Sequence, residues 1–205
     1  MDKQFDAEYI NTQLEEIGKR IAKPIKIYLI GGCAMSFRGL KESTKDVDIV
    51  FKNKEHLNLF LDALFGVQYF QPVQIKIEHE KLEPMRVYEN KDGFHLDLFI
   101  EKVVGKLHLS DSMIARAELY KSYESLSVYL LSKEDIFLFK GLASESRERD
   151  LLDMRIIYPN INWGIIEKEL NSQKLSKELT FLFIRRLERF REVHLLDVPL
   201  LKKLK

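Results

Sequence analysis

Residues 46–51 read Asp-Val-Asp-Ile-Val-Phe, and an apolar run that carries two carboxylates one residue apart admits few structures. On a β-strand, side chains alternate between faces, so Asp46 and Asp48 share one face with Val50 while Val47, Ile49 and Phe51 share the other. Two anions on one partly buried face cost several kcal/mol, or one of them takes up a proton, unless a cation lies between them. A hard divalent cation such as Mg²⁺, which binds carboxylate oxygens together with substrate phosphates, meets that need. The other half of such a site is a further acid on an adjacent strand. Asp97, mid-strand in Phe-His-Leu-Asp-Leu-Phe-Ile (94–100), fits, since Phe94, Leu96, Leu98 and Ile100 take one face and His95, Asp97 and Phe99 the other. Three carboxylates on two strands would hold two ions.

Upstream, Ile-Lys-Ile-Tyr-Leu-Ile (25–30) stops at Gly31-Gly32 and Cys33-Ala-Met-Ser-Phe-Arg-Gly-Leu resumes as helical turns. Strand, glycine turn and helix in that order let a backbone approach a phosphate closely and aim amides at it.

Composition bounds the rest. The chain has 205 residues, 45% of them hydrophobic, enough for a real core. Lys plus Arg (33) nearly cancel Asp plus Glu (32), so no global field draws it to nucleic acid or a membrane surface. One cysteine excludes an internal disulfide and a cysteine zinc cluster and points to a reducing cytoplasm. The opening Met-Asp-Lys-Gln-Phe-Asp-Ala-Glu-Tyr-Ile lacks the pattern of a signal peptide, and no run has the length of a membrane span. His79, His95 and His108 lack zinc spacing and read as structural.

The periodicity predicts an amphipathic helix over residues 4–22 ended by Pro24, strands at 25–30 and 46–51, and a helix at 54–65. Further strands are expected at 72–79, 85–89 and 94–100, the last two joined by a turn at Asn90, Asp92 and Gly93. From residue 112 the pattern is mainly helical, with one short strand at 125–131. Ser132 to Asp135 reads as a capping box ahead of a helix. Other helices are expected at 147–157, ahead of Pro159, and at 175–193, where Arg185, Arg186, Arg189 and Arg191 form the wet face of an amphipathic helix. The expected fold is α+β (mixed): a mixed sheet flanked by helices over residues 1–110 and a mainly helical lobe over 111–205.

The run GGCAMSFRGLKESTKDVDI resembles the nucleotidyltransferase superfamily that includes DNA polymerase beta, aminoglycoside nucleotidyltransferases and poly(A) polymerases. Within it the pattern is similar to nucleotidyltransferases of the abortive-infection toxin type and their uncharacterised prokaryotic relatives, which read GG-x-A, R-G and T-x-D-[IV]-D, with a lysine and an arginine-aspartate pair further on. Here the latter are Lys140 and Arg149-Asp150, followed by Asp153, so the resemblance covers residues 28–155. It implies a twisted mixed sheet and the transfer of a nucleoside monophosphate from a nucleoside triphosphate to a hydroxyl. Gly31, Gly32 and Cys33 would hold the triphosphate, and Asp46, Asp48 and Asp97 would be the catalytic carboxylates that bind Mg²⁺, with Asp97 helping to deprotonate the acceptor. Lys140 would be catalytic and contact the triphosphate; Asp150 would anchor the nucleotide or the cleft. Two departures stand out: Cys33 occupies a common serine position, and Lys41-Glu42 a frequent arginine position.

Three functions fit the resemblance. One is a nucleotidyltransferase acting on tRNA or a protein, as toxins of this type do, with an antitoxin as partner. The second is the same chemistry on a small hydroxylated molecule, as in aminoglycoside-modifying relatives. The third is a non-catalytic module that binds nucleotide or a partner protein; the full set of carboxylates argues against it.

Overall fold

The computed structural model of the protein describes residues 3–72, 84–103, 106–143 and 147–204. The strand expected at 72–79 falls almost wholly outside the described residues. The chain begins with β1 (Phe5–Asp6) and α1 (Ala7–Gly18), followed by β2 (Ile25–Ile30), α2 (Gly31–Phe37), β3 (Ser43–Thr44), β4 (Asp46–Phe51) and α3 (Lys54–Phe65). Helix α1 is shorter than the predicted 4–22. At its start Phe5 and Asp6 pair with Thr44 and Ser43, and the Asp6 carboxylate caps the helix by accepting from the Tyr9 amide. Its end is set by packing: a Cβ on Gly18 would stand 2.4 Å from the Tyr123 carbonyl oxygen, so the last turn lies directly against the sheet.

After α3 come β5 (Arg86–Glu89), β6 (His95–Ile100), the small pair β7 (Lys102–Val103) and β8 (Leu107–His108), α4 (Asp111–Arg116), β9 (Glu118–Tyr123) and β10 (Leu126–Leu130). The main sheet runs β5-β6-β4-β2-β10-β9. It is mixed: β4 lies parallel to β6 and antiparallel to β2, while β2 lies parallel to β10. The β5–β6 hairpin turns where expected, with Gly93 at φ +77 and the Asn90 side-chain oxygen accepting from the amides of Asp92 and Phe94. Strands β2, β4 and β6 are buried almost throughout, as expected of strands covered on both faces. Helices α1 and α3 pack together, α3 on β2 and β4 and α1 on β9 and β10, while α2 lies on β2 and β4.

The rest is helical: α5 (Lys133–Leu142), α6 (Glu148–Ile157), a 3₁₀ turn at Tyr158–Asn160, α7 (Trp163–Ser172), α8 (Lys177–His194) and the short α9 (Leu201–Leu204). Helix α5 is the hub, packing against α6, α7 and α8 with Ile136, Phe137, Leu138 and Phe139 buried. At its crossing with α8 a Cβ on Gly141 would meet Phe183 at 2.4 Å, so the glycine sets how closely the two approach. Ser132 caps α5 by accepting from the Asp135 amide. The Asp135 carboxylate is clamped by Arg116, which also donates to Glu169 of α7 at 2.6 Å. Burial alone would raise the Glu169 carboxyl, but bonds from Ser112, Arg116, Gln173 and Ser110 outweigh it and hold it at about 2.

Two further features differ from the sequence reading. Strand β9 lies in the stretch read as helical, and with β10 it returns residues 118–130 to the sheet, so by layers the helical part begins after Leu130. Arg186, placed on the wet face of α8, is instead buried, and its guanidinium donates to the Arg147 carbonyl at 2.5 Å. No helix among the described residues is long and apolar enough to cross a membrane.

Candidate active site

Alternation on β4 turns Asp46 and Asp48 to one face, and the parallel register with β6 sets Asp48 beside Asp97 and Asp46 beside His95. Antiparallel pairing brings Ile30, the last residue of β2, alongside Asp48. The next residue, Gly31, has φ +63, and a Cβ there would stand 2.1 Å from Asp48 Oδ2. Only glycine satisfies both the left-handed backbone and the close approach of the carboxylate.

Asp48 is 6% exposed, and its Oδ1 has no hydrogen-bond partner. Burial, then Asp46 and Asp97, push its carboxyl well above the ordinary range, against the pull of Arg147 and Lys140. This buried acid is costly to ionise until a cation arrives.

Gly31, Gly32, Asp46 and Asp48 form one wall of a cavity of about 460 Å³. The facing wall comes from α5 and α6. Lys140 Nζ donates to Asp150 Oδ1 at 3.0 Å and to Asp153 Oδ2 at 2.6 Å, and Arg147 Nε donates to Asp150 Oδ2 at 2.8 Å. Lys41, from the loop after α2, reaches across to Asp153 Oδ1 at 3.0 Å. Three cations thus share two carboxylates. Burial disfavours the Lys140 ammonium, but Asp150 and Asp153 more than offset it, so its pKa is raised and it stays charged. Asp150 is held below the usual carboxylate range: Lys140 and Arg147 together outweigh its burial.

Of the residues singled out from the sequence, Gly31, Gly32, Asp46, Asp48, Lys140 and Asp150 line this cavity. Asp97 is fully buried beside Asp48 and is not part of the lining. Cys33 is also fully buried and outside the lining, and burial, with Asp48 and Asp46 nearby, pushes its thiol up. Its side chain belongs to the hydrophobic core.

Among the described residues no three His, Cys, Asp or Glu side chains are grouped so as to hold a metal ion by themselves. The residues present still fit a hard cation of the Mg²⁺ type, which uses one or two protein carboxylates and takes its other oxygens from water and phosphate. Asp46 and Asp48 could supply those carboxylates, and the unsatisfied Asp48 oxygen is the feature that a cation there would satisfy.

The sequence reading gave no role to Lys41, Thr44, Arg147 or Asp153, all of which line the cavity. For Asp153 a signal existed: it follows Asp150 by three positions and so shares a helical face with it. Thr44 is the threonine of the T-x-D-[IV]-D pattern, but its place beside the glycine pair is legible only from the fold, where its hydroxyl would lie 2.7 Å from a Cβ on Gly32.

No family model and no curated protein sequence matches the chain. Among solved structures, it is similar to the lincosamide antibiotic adenylyltransferase LnuA in its lincomycin-bound form, at 17% identity over 64% of this chain and 85% of that one, TM-score 0.42. It is also similar to ANT(2'')-Ia in complex with adenylyl-2''-tobramycin, at 14% identity over 80% and 95% of the two chains, TM-score 0.49. A third is JHP933 from Helicobacter pylori, at 16% identity over 96% and 82%, TM-score 0.43. With every TM-score below 0.5, the functional reading rests on the residues of the site alone.

Proposed function

We propose that the protein is a Mg²⁺-dependent nucleotidyltransferase that moves a nucleoside monophosphate from a nucleoside triphosphate to a hydroxyl acceptor. The observation that carries this reading is Asp48: a buried carboxylate beside two others, with an unpartnered oxygen, against a glycine that leaves room for it and for little else. A fold keeps such a costly group where a cation and its phosphates will lie against it.

In this reading Asp46 and Asp48 hold the metal, two ions in all, and Asp97 is the third carboxylate of the set. The bound metal would supply charge neutralisation and polarisation of the phosphoryl oxygens. The side-chain-free wall at Gly31 and Gly32 gives the triphosphate room to approach the backbone. Cys33 lends that wall only its main chain. The acceptor oxygen attacks the α-phosphorus in line, the bond from that phosphorus to the β-phosphate oxygen breaks, pyrophosphate leaves with the electron pair, and the hydroxyl proton passes to the carboxylate cluster. Lys140, kept charged by Asp150 and Asp153, offsets the charge gathering on pyrophosphate.

The described cavity lining carries five basic side chains (Lys41, Lys45, Lys140, Arg147, Arg149) and five acidic ones (Glu42, Asp46, Asp48, Asp150, Asp153). That balance favours neither a polycationic nor a polyanionic acceptor; following the sequence resemblance, we take a hydroxyl on tRNA or on a protein in the cytoplasm as the acceptor, with an antitoxin as partner in a toxin-type system. The test is transfer of label from each α-³²P nucleoside triphosphate, with Mg²⁺, to total tRNA, to protein or to an aminoglycoside. Label in tRNA or protein that disappears with Asp46→Asn supports the reading. Label in the aminoglycoside alone would overturn the acceptor, and label in no acceptor would favour the non-catalytic module.

A further inference from the structure

The Lys41–Asp153 pair spans the cavity, from the loop after α2 on the sheet side to helix α6 on the other. We propose that it is a latch: Lys41 pairs with Asp153 until a polyphosphate ligand enters and is then handed over to that polyphosphate. The inference rests on the nucleotide reading for the identity of that ligand, though not for the polyphosphate chemistry.

Three observations carry it. Asp153 is bound more closely by Lys140, at 2.6 Å, than by Lys41, at 3.0 Å, so losing Lys41 leaves no buried unpaired carboxylate. The Lys41 side chain keeps 25% of its exposure against 8% for Lys140, which makes it the less costly of the two to move. The new partner is within reach: Lys41 Nζ would lie 3.8 Å, and Thr44 Oγ1 2.7 Å, from a Cβ on Gly32, so an ammonium and a hydroxyl already converge on the bare glycine wall.

In this pairing Asp153 takes the place at Lys41 that a phosphate would take. An incoming polyphosphate competes with it for Lys41, and the exchange replaces a contact between the two walls with one from the loop to the ligand. Lys41 thereby acts on affinity twice, as a phosphate contact and as the group Asp153 withholds.

The experiment is a double-mutant cycle of Lys41→Met and Asp153→Asn, titrated with nucleoside triphosphate and separately with inorganic tripolyphosphate, both with Mg²⁺, after thermal melting has confirmed that each variant folds. Lys41→Met should weaken binding about tenfold, the size of one charge-assisted contact, and Asp153→Asn should tighten it about fivefold. In the Lys41→Met background most of that tightening should vanish, because the withheld cation is gone. An equal effect of Asp153→Asn with and without Lys41, or binding that is indifferent to Lys41→Met, overturns the latch while leaving the nucleotide reading intact. The predicted coupling seen with tripolyphosphate but no binding of any nucleoside triphosphate keeps the latch and removes the nucleotide reading. If wild type binds neither polyphosphate, both fall. Should Asp153→Asn fail to fold, Asp153→Ser takes its place in the cycle, with the same coupling expected and an equal effect in both backgrounds again overturning the latch.

Discussion

Asp48→Asn should stabilise the metal-free protein while abolishing its response to Mg²⁺. Burial first, then Asp46 and Asp97, raise this carboxyl above its ordinary value of 3.8. For an acid whose folded pKa is raised, the stability tied to the protonated form is complete below the unfolded value and is lost as pH climbs through the folded one. At pH 7 to 8 the ionised group therefore works against folding, and the neutral amide removes that cost. Each unit by which the folded carboxyl lies above its unfolded value costs about 1.4 kcal/mol at a pH above both, and at about 2–4 °C per kcal/mol for a chain of this size the variant should melt above wild type in a chelator by about 3–6 °C for each such unit. The gap should close as pH is lowered below 3.8, where the wild-type carboxyl becomes protonated in both states. Mg²⁺ at ten times its dissociation constant should raise wild type by about 1.4 kcal/mol and leave the variant unmoved. Scanning calorimetry across pH, with and without Mg²⁺, reads both effects. A variant that melts below wild type in chelator, or that gains as much from Mg²⁺, refutes the electrostatic account of the site.

Gly31→Ala forces a Cβ onto the Asp48 carboxylate from a left-handed backbone; urea denaturation should show a loss of about 1–3 kcal/mol, and titration should show no Mg²⁺-dependent nucleotide binding. Cys33→Ser should leave the nucleotide dissociation constant within about twofold, because the thiol faces the core, while a buried hydroxyl lowers stability by about 1–3 kcal/mol. Arg116→Met strips one guanidinium from two buried carboxylates and should cost about 3–5 kcal/mol in denaturant without changing nucleotide affinity. The Glu169 part of that network is also pH-dependent: its folded pKa, about 2, lies below the ordinary 4.5, so its contribution is present above 4.5 and is lost as pH falls toward 2, which acid titration of wild type against the variant should show.

The parts of the fold that were legible are those whose pattern is complete within a short window. Residues 25–30, 46–51 and 54–65 form the expected strands and helix at the expected bounds, because continuous apolar runs and a regular apolar stripe identify them without knowledge of neighbours. Strand β9 was hidden because Glu118, Lys121 and Ser122 are exposed on an edge, where no apolar alternation is required. The start of α1 was misread because Phe5 and Asp6 are claimed by Ser43 and Thr44, a pairing that only the closed fold reveals. Arg186 looked like one more surface arginine, since nothing local marks it as the donor to the Arg147 carbonyl.

At the site, β-strand alternation alone put Asp46 and Asp48 on one face, and the register of β4 with β6 set Asp97 beside them. The glycine pair was visible as a turn, while the approach of Asp48 to Gly31 needed the antiparallel pairing of β2 with β4. The opposite wall was legible as residue types and not as a network. Which lysine meets which aspartate depends on how α5 and α6 pack, and Lys41 arrives from more than a hundred residues away to join them.

The central claim is that the carboxylate wall holds a metal for a nucleoside triphosphate, and calorimetric titration of the four ribonucleoside triphosphates, with Mg²⁺ and with chelator, tests it most directly. The account predicts binding of at least one triphosphate that requires Mg²⁺ and is lost with Asp46→Asn/Asp48→Asn. Binding that is indifferent to the metal and to both aspartates, or no binding of any triphosphate, would contradict it.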